Sequence, residues 1–290
     1  LTVLAAGDIA KCAPSSAFAK ALPATADLFG IEPGFDLGDV AASESAALAR
    51  SWPDAPILAL GDLVYSSGTP AEFDACYDPI WGDLRPRTLP APGNHEYKSP
   101  GAFGYFDYWA ERAGPERRGY YAATAGNWLI LALNSEVPAG PDSDQGRWMQ
   151  ARLDAAPQSC VLAYYHRPAY SLTERSGGEN AVKLFRQLQS NGVTLVLNGH
   201  NHFYERTAPL AADGSLDEKG GTVAFTVGTG GRMSGAQPLL DVTRAAVFDT
   251  VGLLRLELGA EGYRWWYHDT TADRIADSGD APCNRARETM

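Results

Sequence analysis

Five near-continuous apolar segments constrain the fold of this chain more than any other feature, because four of them end in an acidic residue or a histidine. They are LTVLAAGD (1–8), PILALGD (56–62), WLILALNS (128–135), CVLAYYH (160–166) and VTLVLNGH (193–200). Strands of this kind are buried on both faces of a sheet. The sequence therefore predicts a sheet that is covered on both sides and carries polar residues at the carboxyl ends of its strands.

Helical patterns lie between these strands. They are the alanine-rich SESAALARSW (43–52), SDQGRWMQARLDAA (143–156), which starts at a serine or aspartate N-cap, and ENAVKLFRQLQSNG (179–192), which ends at Gly192. Strands that alternate with helices indicate crossover connections that cover the faces of a sheet.

Further strand-like segments follow one another after residue 220. They are GTVAFTVGTGG (221–231), AVFDTVGLLRLELG (246–259) and YRWWYHDTTADRIADSG (263–279), with no helical pattern between them. This part of the sequence predicts an antiparallel second sheet. No linker rich in proline, serine or charge separates the two parts, so we predict a single domain over residues 1–290 in which two sheets pack face to face.

Charge and hydropathy restrict the partners of the protein. The 290 residues carry a formal net charge of −11, which disfavours binding of a nucleic-acid backbone by the surface at large. No apolar run approaches the roughly 20 residues that span a bilayer, so we predict no membrane partner. The sequence starts at Leu1 in a strand-like segment and without methionine, and we expect that any signal peptide is missing from it.

The four cysteines are widely separated and lack the close pairs that thiolate zinc sites use. One interpretation is two disulfides, which would indicate an oxidising compartment and hence a secreted or periplasmic protein. The other is four reduced, mostly buried thiols. Of the three possible pairings, we favour Cys12–Cys76 with Cys160–Cys283.

Carboxylate, imidazole, amide and phenol groups gather at the ends of the predicted strands. The motifs are AAGDIA (Asp8), LGDLVY (Asp62, Tyr65), PGNHEY (Asn94, His95), YYHRP (His166) and GHNH (His200, His202). Ligands of open α/β sheets bind at the carboxyl ends of strands, and a buried carboxylate is costly unless a cation compensates it. Hard and borderline metal ions bind these donor types. Each motif alone is weak, but together they predict a metal site.

The GHNH motif places His200 and His202 one residue apart. On an extended segment the two side chains would point to opposite faces. A turn at the end of the strand can instead bring both imidazoles inward, and Gly199 suits such a tight turn. We therefore expect the two histidines to reach two adjacent ions.

The ordered series GD, GDxxY, GNHE, H and GHxH resembles the calcineurin-like metallophosphoesterase superfamily, and its tyrosine resembles the purple acid phosphatases in particular. The resemblance implies an α/β fold of the four-layer αββα kind, with a binuclear metal site at the carboxyl ends of strands. It implies hydrolysis of small phosphomonoesters by attack of a metal-bound hydroxide. The residues that match the ligand positions of the family are Asp8, Tyr65 and His202 for one ion, Asn94, His166 and His200 for the other, and Asp62 as a bridge.

The sequence departs from many members of the superfamily at its first motif. Those members begin with Asp-x-His, whose histidine binds the first metal, whereas this chain has Ala10 at that position. Tyr65 would occupy the vacancy. Because a phenolate favours a trivalent ion, we predict Fe(III) paired with Fe(II), Zn(II) or Mn(II).

The groups that handle substrate are less well defined by the sequence. His95 resembles the family's histidine that contacts phosphate, and it is our first choice for the acid that protonates the leaving group. Glu96 orients His95 or caps a loop. Arg167 would clamp a phosphate oxygen bidentately or pair with a surface carboxylate, and both interpretations stay open.

Two alternatives to a phosphomonoesterase remain. One is a phosphodiesterase or nucleotide pyrophosphatase on the same centre, and the other is a non-catalytic phosphate- or metal-binding protein. Among the other segments, we predict that GTGGR (228–232) is a turn between strands rather than a phosphate cradle. We also predict that the aromatic clusters YFDYW (105–109) and RWWYH (264–268) pack in sheets.

Overall fold

The structure is a computed structural model that describes residues 1–12, 37–156, 160–172 and 177–284. The helices are α1 (Leu37–Arg50), α2 (Pro70–Glu72), α3 (Asp78–Trp81), α4 (Phe103–Trp109), α5 (Asp144–Ala155) and α6 (Gly178–Ser190). A π-helical turn at Phe73–Tyr77 joins α2 to α3, and short 3₁₀ helices occupy Gly82–Arg87, Glu96–Lys98, Pro100–Ala102, Ala110–Ala113 and Pro115–Arg117.

The strands of the first half of the chain are β1 (Thr2–Ala6), β2 (Ala10–Lys11), β3 (Ile57–Leu60), β4 (Val64–Tyr65), β5 (Thr88–Ala91), β6 (Tyr121–Ala125) and β7 (Trp128–Ala132). Those of the second half are β8 (Cys160–Tyr164), β9 (Leu195–Asn198), β10 (Tyr204–Thr207), β11 (Val223–Val227), β12 (Thr243–Val247), β13 (Gly252–Leu258), β14 (Gly262–Asp269) and β15 (Arg274–Pro282). Each of the five predicted apolar strands is present, as β1, β3, β7, β8 and β9.

Two large mixed sheets are formed from these strands. The six-stranded sheet has the order β15-β14-β13-β1-β3-β5, and the seven-stranded sheet has the order β12-β10-β11-β9-β8-β7-β6. In the first sheet β1, β3 and β5 run parallel, and in the second β7, β8, β9 and β11 do. The short strands β2 and β4 pair with each other beside them.

The prediction of a separate antiparallel sheet in the C-terminal part was wrong. Strands β13, β14 and β15 are antiparallel to one another, but β13 pairs with β1, with Val3 opposite Leu256, and so extends the six-stranded sheet. Strand β11 instead runs parallel to β9 in the other sheet. A local pattern identifies a strand, whereas the neighbour of that strand is chosen by contacts between residues distant in sequence.

Three apolar clusters separate four layers. Alternate residues of β1 belong to two of these clusters, because Val3 and Ala5 face the other sheet while Leu4 faces outward. On the outer side of the six-stranded sheet, α1 presents Ala42 and Ala46. On the outer side of the seven-stranded sheet, α5 and α6 bury Met149, Leu184, Phe185 and Leu188. The four-layer αββα sandwich that the resemblance implies is therefore confirmed, and both of its sheets are mixed.

Of the two aromatic clusters, RWWYH lies in β14 as predicted, but YFDYW lies in α4 and not in a sheet. In this helix Tyr105, Phe106 and Trp109 are buried. Residues three and four apart lie on one face of a helix, so the buried positions follow the helical period.

Both favoured disulfides are present, and the alternative of four free thiols was wrong. Cys12 and Cys76 have their Cα atoms 5.2 Å apart, and Cys160 and Cys283 have theirs 5.3 Å apart. The second bridge joins β8 of the seven-stranded sheet to the segment after β15 of the six-stranded sheet. Within the described residues, every helix is too short or too polar to cross a bilayer.

Candidate metal centre

The polar residues predicted from the sequence lie just beyond the carboxyl ends of five parallel strands. Asp8 follows β1, Asp62 follows β3, Asn94 follows β5, His166 follows β8, and His200 follows β9. Since the two sheets pack face to face, the polar ends of both meet at one edge of the sandwich, where open α/β sheets bind ligands.

One group of side chains forms around the hydroxyl group of Tyr65. This hydroxyl donates a hydrogen bond to Oδ1 of Asp8 at 2.6 Å and lies 3.1 Å from Nε2 of His202. The same Nε2 lies 3.3 Å from Oδ1 of Asp8. The three residues therefore direct one phenol oxygen, one carboxylate oxygen and one imidazole nitrogen to a common point.

A second group forms around His166. Its Nε2 lies 3.2 Å from Oδ1 of Asn94 and 3.3 Å from Nδ1 of His200. Oδ2 of Asp62 is 3.1 Å from the same Nε2 and 3.3 Å from the Tyr65 hydroxyl. Asp62 thus contacts both groups, which is the position expected of a bridging ligand. Ligand atoms of Asp62, His166 and His200 all lie within 4.8 Å of one another.

Hydrogen bonds outside the two groups hold the ligand atoms in place. Nδ1 of His166 lies 2.9 Å from the carbonyl oxygen of Leu60, which only accepts, so Nδ1 carries a proton and Nε2 is the ring nitrogen that faces the cluster. Each aspartate accepts one backbone amide: Asp62 Oδ1 from His95 at 2.7 Å, and Asp8 Oδ2 from His200 at 2.7 Å. The other carboxylate oxygen in each case faces the cluster.

The backbone turns sharply at three of these positions. Asp8, Asp62 and His200 have φ values of 59°, 50° and 71°, in the left-handed region that residues other than glycine rarely adopt. Such conformations persist at sites where the surrounding structure enforces them. The expected turn after β9 is therefore present, and it directs His200 toward His166 and His202 toward Asp8.

Gly199 is required for a different reason from the one predicted. The left-handed residue of this turn is His200, not Gly199. A Cβ atom on Gly199 would lie 2.6 Å from Oδ2 of Asp8 and 2.9 Å from the Leu60 carbonyl oxygen. Glycine is needed here because the backbone passes directly over the Asp8 carboxylate.

The charges of the site show that it favours a cation. Burial raises the pKa of Asp62, but the charge and hydrogen bond of His166, together with the charge and backbone amide of His95, outweigh burial and leave the pKa well below its usual range. Burial lowers the pKa of His166, yet the Asp62 carboxylate reverses this and raises the pKa to about 10. Burial and the charge of His166 lower the pKa of His200 to about 4. A proton on His166 thus compensates the carboxylates in the metal-free protein.

The donors fit a pair of metal ions. Two carboxylates, a phenol, an amide oxygen and three imidazoles face the cluster, and they are ligands of hard and borderline metal ions. All four cysteines are in disulfides, so no thiolate competes. Metal cations could replace the proton that His166 carries, because they would compensate the same carboxylates.

Glu96 lies beneath the site and acts on its loops. Its buried carboxylate accepts hydrogen bonds from the backbone amides of Asp62 at 3.0 Å, Leu63 at 2.8 Å and Gly93 at 2.7 Å. Burial, followed by the charge of Asp62, raises the pKa of Glu96 to about 8. These contacts agree with the loop interpretation of Glu96, because the carboxylate joins the turn after β3 to the turn after β5.

His95 and Arg167 lie at the rim of the site. Nδ1 of His95 is 2.6 Å from the Ser66 carbonyl oxygen, and its ring centroid lies 4.3 Å from that of Tyr65. Arg167 donates from Nε to Glu136 at 2.8 Å, and its Nη1 is 3.4 Å from Nε2 of His200. Arg167 therefore does pair with a carboxylate, but this pairing also holds its guanidinium beside the cluster.

Sequence reasoning missed Arg232. The GTGGR segment leaves β11 as a loop, as predicted, and its Gly230 amide donates to the Gly7 carbonyl oxygen at 2.9 Å. This packing places the guanidinium of Arg232 over the ring of Tyr65, 5.1 Å from the centroid, as in cation–π contacts. No local pattern in the sequence pairs two residues so far apart.

Comparison with known proteins identifies relatives. A family model described as calcineurin-like phosphoesterase matches residues 2–204. An uncharacterised protein of Mycobacterium tuberculosis is 30% identical over 230 residues, covering 62% of this chain and 42% of its own length. Purple acid phosphatase 18 of Arabidopsis thaliana is 26% identical over 191 residues, covering 60% of this chain and 43% of its own. The chain thus spans less than half the length of these curated relatives.

A solved structure shares the fold. The purple acid phosphatase PPD1 from yellow lupin seeds superposes with a TM-score of 0.73 at 18% sequence identity, and the match covers 97% of this chain and 53% of that one. At this level of identity the match shows the architecture alone. The family match spans the motifs from Asp8 to His202.

Proposed function

Since the chain belongs to the calcineurin-like phosphoesterase family, we propose that it is an acid phosphatase-like hydrolase of small phosphomonoesters. The observation that carries this proposal is the position of Asp62, whose Oδ2 lies between the Tyr65 hydroxyl at 3.3 Å and His166 Nε2 at 3.1 Å. A carboxylate shared between two donor groups is what a pair of metal ions requires.

The proposed metal ligands divide into two sets. Asp8, Tyr65 and His202 would hold Fe(III), and Asn94, His166 and His200 would hold Fe(II), Zn(II) or Mn(II), with Asp62 shared. When bound, such a pair of ions supplies a more acidic water and positive charge at the transferring phosphoryl group. The phenol of Tyr65 supports iron at the first position, because phenolate is a hard anionic donor.

Arg167 would hold the substrate phosphate. Its guanidinium borders His200, and the hydrogen bond from Nε to Glu136 at 2.8 Å fixes its orientation. The remaining N–H groups can donate to two phosphate oxygens, which suits the planar geometry of guanidinium. Arg167 would also supply positive charge next to the site on a protein whose formal net charge is −11.

His95 would donate the proton to the leaving group. The Ser66 carbonyl oxygen 2.6 Å from Nδ1 holds one ring proton, and Nε2 faces the cluster, 3.9 Å from Oδ2 of Asp62. Burial lowers the pKa of His95 below its usual value, although Asp62 opposes the change. The protonated form therefore grows as pH falls, so we expect the rate to decline as pH rises through this pKa.

The test is an assay panel on metal-depleted and on iron-reconstituted protein, with elemental analysis of protein purified without added metal. We expect hydrolysis of 4-nitrophenyl phosphate, little hydrolysis of its bis-ester or of nucleoside triphosphates, and a visible phenolate-to-iron absorption band. Preferred hydrolysis of the bis-ester or of triphosphates would indicate a phosphodiesterase or pyrophosphatase. Metal binding without turnover of any ester would indicate a non-catalytic binding protein.

The setting of this activity is also proposed. The disulfides Cys12–Cys76 and Cys160–Cys283 support a secreted or periplasmic location. The two sheets share one core, and both contribute proposed ligands to the same site. These two features support a single domain over residues 1–290. The proposed partner is a small phosphorylated molecule, not a nucleic acid or a membrane.

A further inference from the structure

The metal centre opens into two cavities that differ in chemistry. The first, here called the apolar lobe, has a volume of about 890 Å³ and is lined beyond the metal-site residues by Leu172, Asn201, Phe203, Ser234, Gln237, Pro238 and Leu240. The second, here called the polar lobe, has a volume of about 660 Å³ and is lined by Ser135, Glu136, Arg167, Gly177, Gly178, Glu179 and Asn180. Asn94 and His200 border both lobes.

Charge separates the two lobes. The polar lobe contains the guanidinium of Arg167 and the carboxylates of Glu136 and Glu179. Among the described residues that line the apolar lobe, none outside the metal site and His95 is lysine, arginine, aspartate or glutamate. A charged group placed there would lose water without gaining an oppositely charged partner among these residues, and only Asn201, Ser234 and Gln237 among them offer polar side chains to a hydrated group.

The segment between β11 and β12, which forms part of the wall of the apolar lobe, carries exposed apolar side chains. Eight large hydrophobic residues of the described chain are exposed, and three of them lie in the segment between β11 and β12: Met233, Leu239 and Leu240. Leu240 is 47% exposed and lines the lobe. Exposed apolar groups that border a cavity with a few polar groups are typical of ligand-binding sites.

The two candidate catalytic side chains lie on different lobes. Arg167 borders only the polar lobe, whereas His95 borders only the apolar lobe. In the proposed function, Arg167 holds the phosphate and His95 protonates the leaving-group oxygen. A substrate held in this way extends its leaving group past His95 and into the apolar lobe.

We propose, on the basis of that function, that the enzyme selects phosphomonoesters with an uncharged, apolar leaving group, alkyl or aryl, which the apolar lobe receives. Hydrolysis breaks the bond between phosphorus and the leaving-group oxygen, water adds to phosphorus, and the products are inorganic phosphate and an apolar alcohol or phenol. Nucleotides and sugar phosphates are poorer substrates, because the three polar side chains that line the apolar lobe beyond the metal site, Asn201, Ser234 and Gln237, replace only part of the hydration that charged or hydroxylated groups lose.

The test compares kcat/KM for butyl phosphate, hexyl phosphate and glycerol 3-phosphate on iron-reconstituted enzyme, with 2-naphthyl phosphate as an aryl arm. The alkyl and glycerol esters all release an alcohol, so they differ mainly in the polarity of the leaving group. We expect kcat/KM to rise with chain length, by up to about fourfold per methylene group. Preference for naphthyl over hexyl phosphate beyond that expected from its better leaving group would assign the lobe to aryl esters.

Leu240→Ser and Leu239→Ser form a matched pair of variants. Both side chains are exposed, at 47% and 63%, so neither substitution threatens folding, but only Leu240 lines the lobe. We expect Leu240→Ser to lower kcat/KM for hexyl phosphate roughly tenfold, through KM, with glycerol 3-phosphate changed less than about twofold. Leu239→Ser should leave both substrates unchanged.

Two results would overturn the inference. Equal kcat/KM for hexyl phosphate and glycerol 3-phosphate, or equal losses on both in Leu240→Ser, would show that the lobe does not select the leaving group. Both results leave the proposed phosphatase activity intact. Failure to hydrolyse any of the four esters would contradict the proposed function itself and the inference with it.

Discussion

The two sheets contribute different chemistry to the candidate metal centre. Segments that follow strands of the six-stranded sheet, and the short strand β4 beside it, supply the oxygen atoms of Asp8, Asp62, Tyr65 and Asn94. Segments that follow strands of the seven-stranded sheet supply the nitrogen atoms of His166, His200 and His202. Neither sheet alone presents a complete set of ligands, so the site exists only when the two sheets are packed together.

This division places the negative charge on one side. The six-stranded side carries the buried carboxylates of Asp8 and Asp62, and the protonated imidazole of His166 on the other side compensates them in the absence of metal. Oxygen and nitrogen donors should therefore respond differently to substitution. Loss of a carboxylate removes charge from the site, whereas loss of an imidazole removes one donor and leaves the charge in place.

Asp62→Asn should have the largest effect, because Oδ2 of Asp62 contacts both groups. Two metal ions supply several kcal/mol of charge stabilisation, so we expect a loss of kcat of at least about 10³-fold and loss of both ions. By comparison, His200→Ala should retain about one ion per chain, since only the second group loses a donor. Elemental analysis measures the bound ions and steady-state kinetics measure kcat in each variant, with the exposed Asp142→Asn as control. Wild-type turnover in Asp62→Asn would contradict the bridging role.

Tyr65→Phe removes one oxygen donor and leaves the three imidazoles in place. We expect the visible charge-transfer band to disappear and activity to fall by roughly 10- to 100-fold. Absorption spectra of iron-reconstituted protein measure the first effect. Tyr108→Phe, whose hydroxyl binds Asp78 and not the cluster, should keep the band. A variant at Tyr65 that keeps its colour would show that the phenolate does not bind iron.

Glu96→Gln tests the support beneath the oxygen side. The glutamine side chain has one acceptor oxygen in place of two, and its NH₂ group faces either the Leu63 amide, which donates to Oε1, or the Asp62 and Gly93 amides, which donate to Oε2. Leaving buried donors unsatisfied costs about 1–3 kcal/mol each, so we expect lower stability of the metal-free protein and roughly tenfold weaker metal binding. Urea unfolding and metal titration measure these, with exposed Glu111→Gln as control. Unchanged metal affinity would show that Glu96 does not position the ligands.

Asp277→Asn should have the smallest effect on activity, because Asp277 joins the two sheets away from the metal ligands. Its carboxylate accepts hydrogen bonds from Arg206 at 2.7 Å, Tyr204 at 2.6 Å and Trp265 at 3.0 Å. We expect the substitution to lower the free energy of unfolding by about 1–3 kcal/mol, with activity at 25 °C unchanged. Asp280→Asn, at an exposed position of the same strand, is the control.

The stability difference at Asp277 should depend on pH. Burial raises the pKa of Asp277, but the hydrogen bonds from Arg206 and Tyr204 outweigh burial and leave the pKa below its usual value. The wild-type carboxylate therefore stabilises the fold fully at pH values above the usual aspartate pKa, and this contribution is lost as pH falls through the lowered pKa. If the difference in free energy of unfolding between wild type and Asp277→Asn grew on acidification, this account would be contradicted.

Several features of the site were accessible from local sequence. The turns after β1, β3 and β9 were visible as apolar runs that stop at Asp8, Asp62 and His200, because burial on both faces leaves a continuous apolar signal. The structure brings all seven predicted ligand residues to one edge of the sandwich. Their roles as metal ligands, and those of His95 and Arg167, stay predictions until metal is measured.

Other features were not accessible, because they depend on contacts between distant segments. Glu96 holds backbone amides from two turns, and Arg232 lies over Tyr65 although 167 positions separate them in the sequence. The aromatic cluster YFDYW lies in a helix and not in a strand. Its sequence did not reveal this, because a short apolar run fits both the helical and the strand period.

The sequence by itself determined where the apolar strands run, which polar groups follow them and in what order. Hydrophobic periodicity and the chemistry of side chains are local properties, so they can be identified without knowledge of the fold. The tertiary structure alone decided that β13 pairs with β1, that oxygen donors come from one sheet and nitrogen donors from the other, and that His200 and His202 face different groups. These outcomes follow from packing between segments far apart in the chain. A local sequence pattern carries no information about the free energies of the alternative packings.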